Sequence, residues 1–78
     1  MGVVMLLIAR ERKEHISLHG NEDEALEALI RYVDEHWADA KLPVKSTTLD
    51  APLRIDTWIK ATQSLYLIAT PHIDSTIH

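Results

Sequence analysis

The stretch NEDEALEALIRYVDEHWADA, residues 21–40, decides the fold. Asn21 followed three residues later by Glu24 is the pattern of a helix start. A side-chain oxygen accepts from a free N–H of the first turn, and a carboxylate reaches back. Glu22, Asp23 and Glu24 sit where the positive end of the helix dipole favours them. Behind them Leu26, Leu29, Ile30, Val33 and Trp37 recur at the 3.6-residue period, with Ala25 and Ala40 at the margins, so this stripe is expected to pack on a sheet. Glu24, Glu27, Arg31, Asp34, Glu35 and Ala38 fall on the other side. The helical pairs Glu27–Arg31 and Arg31–Glu35 add only about 0.2–0.5 kcal/mol each and do not account for so many acids. Residues 21–40 sum to −6, whereas residues 1–20 and residues 41–78 each sum to +1, within a chain of net charge −4. One strongly negative face is expected.

Upstream, Val3 to Arg10 is aliphatic on both parities (Val3, Met5, Leu7 and Val4, Leu6, Ile8). It reads as a strand covered on both faces, by helices on one and by something else, such as a partner, on the other. Glu11 to Glu14 reads as a polar hairpin connection. His15 to His19 alternates, Ile16 and Leu18 to one side and His15, Ser17 and His19 to the other, as a half-buried strand with two exposed histidines does. Downstream, Lys41 to Thr48 is a loop containing Pro43, with an extended piece at Val44 to Lys45. Asp50 then reads as the N-cap of a second helix with Pro52 in its first turn and Leu53, Ile55, Trp58, Ile59 and Thr62 on its apolar face. Leu65 to Ala69 reads as a third strand stopped by Pro71. The expected fold is α+β: a three-stranded, mainly antiparallel sheet in ββααβ order with helices on one face. Residues 1–78 form one domain, with 71–78 as a loose C-terminal tail.

Composition narrows the chemistry. Seventy-eight residues support one core and a few kcal/mol of net stability, and 46% hydrophobic content is ordinary for a globular chain. No cysteine is present. That removes disulfides and thiolate chemistry and fits a reducing cytosol. The apolar run Val3 to Ala9 lacks a basic leader and falls well short of the roughly 20 residues that span a bilayer, so no membrane association is expected. The acidic balance disfavours direct nucleic-acid binding and favours a basic partner.

No catalytic or metal constellation stands out. His15 and His19 lie roughly 13 Å apart along a strand, too far to share an ion, and Ser17 sits about 7 Å from either in strand spacing, beyond hydrogen-bond reach. His36 and His72 have no partner at ligand spacing. With glycine only at Gly2 and Gly20, phosphate-cradling loops are missing. Trp37 and Trp58 read as core or core-edge residues. The chain is expected to be no enzyme and to need no metal or cofactor.

The run HISLHGNEDEALEALIRYVDEHW at His15 to Trp37, with IDTWIKATQSLYLI at Ile55 to Ile68, resembles small phage- and prophage-encoded proteins. In these a hairpin leads to an E-x-A-L-x-A-L-x-x-Y-V-x-x-x-W helix, then to a short helix and a last strand. The similarity covers most of residues 3–70. Lys60 and Leu65 stand where an acid and Ser-Tyr are usual. Leu26, Leu29, Val33, Trp37, Trp58, Ile59 and Tyr66 match fold positions. Several proteins of this kind are anti-CRISPR inhibitors, so the resemblance implies a non-enzymatic inhibitor in the host bacterial cytoplasm. Its acidic helix would occupy the basic, nucleic-acid-binding surface of a CRISPR effector complex as a mimic of DNA charge, through Glu22, Asp23, Glu24, Glu27, Asp34 and Glu35. Two alternatives stand beside this reading: a homo-oligomerising module whose apolar first strand forms a homodimer interface, and an antitoxin-like protein that neutralises a basic partner through the same acids.

Overall fold

A computed structural model describes residues 2–70; the expected tail, with Pro71 and His72, lies outside them. Three strands, β1 (Val4–Arg10), β2 (Lys13–His19) and β3 (Leu65–Ala69), form an antiparallel sheet in the order β2-β1-β3. Two helices, α1 (Glu22–Glu35) and α2 (Ala51–Thr62), lie between β2 and β3 in the chain. The ββααβ order and the antiparallel sheet are as expected.

The core is Val4, Leu6 and Ile8 of β1 against Ala25, Leu29 and Val33 of α1 and Ile55 and Trp58 of α2. Trp58 is its largest fully buried side chain, and its indole N–H donates to the His36 carbonyl at 2.9 Å. A buried indole donor thus keeps a partner in a place where losing one costs about 1–3 kcal/mol. Leu26 and Leu53, expected in the apolar stripes, are instead largely exposed. The α1 contact line runs through Ala25, where a small side chain lets the helix approach the sheet.

The hairpin is tighter than expected. Lys13 and Glu14 belong to β2, and the connection is Glu11-Arg12 alone, both residues at positive φ (51° and 67°). A two-residue loop with both φ positive matches the right-handed twist of the flanking strands. It also fixes the register: Ile8 faces His15, Leu7 faces Ile16, Leu6 faces Ser17 and Met5 faces Leu18.

That register overturns the reading of β2. Paired residues point to the same side of a sheet. Because the helices cover Val4, Leu6 and Ile8, it is His15, Ser17 and His19 that share the helix side. Ile16 and Leu18 face away, 57% and 65% exposed. Pairing of β1 with β3 sets Leu65 and Leu67 on that same bare side.

The first helix is shorter than the acidic stretch. It ends at Glu35, and Trp37–Ala40 follow as a 3-10 turn, so Trp37 leaves the helical stripe and donates its indole N–H to the Val44 carbonyl at 2.8 Å. Lys41, in the left-handed region at φ 52°, then turns the chain away. A further 3-10 turn, Ser46–Thr48, interrupts the expected loop.

Candidate functional site

The cap places the acids. Asn21 Oδ1 accepts from the Glu24 N–H at 2.8 Å, and Glu24 Oε2 reaches back to the Gly20 N–H at 2.9 Å. The expected box thus closes one residue earlier than the usual return to the cap residue itself. A side chain at Gly20 would put its Cβ 3.0 Å from that carboxylate oxygen, so glycine leaves the room. Glu24 is therefore committed to the helix start.

With Ala25, Leu29 and Val33 turned to the sheet, the helical period sends Glu27, Arg31, Asp34 and Glu35 outward. These four, with Ile30, line one shallow depression. The structure brings Glu27, Asp34 and Glu35 together and sets Glu22 and Asp23 apart. That pair lies at the helix start, beside Leu26 and the β3 residues Tyr66, Leu67 and Ile68.

Neutralisation trims the expected negative face. Arg54 of α2 donates to Asp34 at 3.2 Å, and Arg10 of β1 pairs with Asp39 in the 3-10 turn. The Asp39 hydrogen bond, outweighing burial, raises the Arg10 pKa above its already high ordinary value, so this guanidinium stays charged. The expected Glu27–Arg31 and Arg31–Glu35 pairs are not closed; among the described residues the one i,i+4 ion pair is Lys60–Asp56 at 3.1 Å. Glu22, Asp23, Glu27 and Glu35 have no ion-pair partner among the described residues.

Two further features were missed, and a third was read only in part. The Tyr32 ring lies between His36, stacked at 4.1 Å, and His15, tilted at 5.4 Å, with Trp58 edge-on at 5.8 Å. The Tyr32–His36 contact follows from i,i+4 spacing on α1. His15 joins only because β2 faces the helices. His36 Nδ1–H donates to the Tyr32 carbonyl at 2.9 Å, which fixes its tautomer. A cleft of about 520 Å³ beside them is lined by cations (Arg10, Lys13) and anions (Glu11, Glu14, Glu35) together. The second feature is Ser17 Oγ, 2.7 Å from His19 Nε2. Strand spacing placed them out of reach, but that spacing is measured between backbones and the side chains lean together. A nucleophile of this kind needs its base oriented by a third group. Among the described residues no carboxylate hydrogen-bonds His19, and no cluster of three metal-ligating side chains forms.

The third feature is the bare side of the sheet. Met5 and Leu7 lie at its centre, flanked by Ile16 and Leu18 on one edge and by Leu65 and Leu67, 71% and 49% exposed, on the other. The two-parity apolar pattern of β1 was its signal in the sequence.

Comparison with protein-family models, with curated proteins and with solved structures finds no match. No helix among the described residues is long and apolar enough to cross a membrane.

Proposed function

We propose that this is a non-enzymatic binding protein, an inhibitor of the phage-encoded anti-CRISPR type, which lays the outer side of α1 on a basic, nucleic-acid-binding surface of an effector complex in the host bacterial cytoplasm. The single observation behind it is the set Glu27 and Glu35 on the outer side of α1 together with Glu22 and Asp23 at its start. These carboxylates are exposed and have no ion-pair partner among the described residues, on a helix of 14 residues with six acids and one base. Like charges along one helix repel. A basic partner turns that cost into complementarity, which raises the association rate and selects the partner. Asp34 and Glu24 contribute less than the sequence implies, because Arg54 and the helix cap occupy them.

The test is phage plating on a CRISPR-immune host that expresses the protein. The wild type restores plaques. Asp23→Lys, Glu27→Lys and Glu35→Lys together abolish the effect and weaken binding to the effector by about 100-fold, each reversal removing on the order of 1 kcal/mol. Binding of the wild type falls steeply with added salt. A folded triple variant that inhibits as well as the wild type rules the acidic face out.

A further inference from the structure

We infer that the helix-free side of the sheet is the interface of a homodimer, two copies packing sheet against sheet about a two-fold axis. Of the nine strand residues on this side (Met5, Leu7, Ala9, Glu14, Ile16, Leu18, Leu65, Leu67 and Ala69), Glu14 alone is charged, and it lies at the hairpin end. Val3, 46% exposed just before β1, has the same parity and extends the face. Apart from the end carboxylate of Glu14 the surface is apolar, and its centre complements itself without stranding a charge. That is what an isologous contact requires.

Area points the same way. Val3, Ile16, Leu18, Leu65 and Leu67 are all largely exposed. With half-buried Met5 and Leu7 they make a contiguous patch on the order of 600 Å², the upper end of what a monomer leaves in water. Pairing two such patches removes at most about 1,200 Å² from solvent, which reaches the lower bound of stable specific interfaces.

The charge distribution selects the occupant. Glu27, Asp34 and Glu35 of α1 lie across the helix layer from this face, whereas Glu22 and Asp23 come near its β3 edge at Leu67. Stacked sheets sit about 10 Å apart and each helix layer adds about 10 Å. The two groups of Glu27, Asp34 and Glu35 in the dimer are therefore several screening lengths apart, each about 8 Å at physiological salt. Two chains of charge −4 thus meet through a side whose described strand residues carry a single charge, Glu14. An anionic membrane would repel that net charge. A second copy is always present at equal concentration. The dimer would present two acidic helices at opposite poles.

Sedimentation of the full chain from about 1 to 100 µM decides it. The wild type is expected at twice the 8.9 kDa chain mass. Leu18→Lys with Leu67→Lys, both at exposed positions, is expected to raise the dissociation constant at least about 100-fold while circular dichroism is unchanged. If that pair fails to fold, Ile16→Gln with Leu65→Gln on the sheet edges gives the same shift to monomer. The dimer persists in the Asp23→Lys, Glu27→Lys, Glu35→Lys chain, so loss of the inhibitor reading leaves this result standing. A wild type that is monomeric throughout, a dimer indifferent to the sheet substitutions, or a monomer that dimerises only when residues 71–78 are removed overturns the inference.

Discussion

Asn21 and Gln63 show what one residue decides at each end of the helical layer. Asn21 satisfies the Glu24 N–H from a fully extended backbone, and Asp50 does the same for Leu53 at 3.2 Å. Both caps were legible because a cap is an i to i+3 relation, contained in four letters. Asn21→Ala leaves that N–H to water and is expected to cost about 1 kcal/mol. In a domain with only a few kcal/mol to lose, a urea midpoint resolves this, at unchanged denaturant slope. Gln63 was not legible. It ends α2 in the left-handed region at φ 56°, where glycine is the usual residue, while Ser64 N–H bonds to the Ile59 carbonyl at 3.0 Å. Nothing in the side chain of glutamine announces that conformation. Arg10 illustrates a residue whose setting has no pH signature. Asp39 raises its pKa, so the guanidinium itself stays protonated throughout the physiological range. Its protonation therefore adds no stability change across the physiological range.

Elements were legible where their period was strong and local. The start of α1, the start of α2 and the whole of β3 stand where the sequence places them, whereas the hairpin does not. Glu11 and Arg12 give no turn signal of the asparagine-glycine kind, so the connection read as four residues when it is two. Both residues bear a side chain at positive φ, a cost of roughly 1–2 kcal/mol each relative to the right-handed region. Installing the asparagine-glycine pair, as Glu11→Asn with Arg12→Gly, is expected to stabilise the chain by about 1 kcal/mol. The check is a higher urea midpoint and slower unfolding; an unchanged or lower midpoint means that the loop is not of the two-positive-φ type. The facing of β2 was lost for a related reason. Alternation shows that Ile16 and Leu18 share a side but not which side, and a one-residue change of register exchanges the two. Only the turn length, combined with the choice of Val4, Leu6 and Ile8 as the helix-covered side, settles it.

At the scale of the molecule, two surfaces result from one asymmetry: helices cover a single side of a sheet whose central strand is apolar on both. The acidic side of α1 points away from the sheet, and the bare aliphatic side points the other way. The sequence announced the first through charge and half-announced the second through β1. It overstated the acidic set, since Arg10 and Arg54 reach Asp39 and Asp34 from residues 29 and 20 positions away, a proximity that only the fold creates. Both functional readings rest on which side of the sheet the helices occupy. Nuclear Overhauser contacts in the full chain measure that directly. Cross-peaks between the rings of His15 and Tyr32, with none from the Ile16 and Leu18 methyl groups to Leu29 or Val33, are the predicted result. Methyl contacts from Ile16 and Leu18 to Leu29 and Val33, with His15 free of Tyr32, would contradict it.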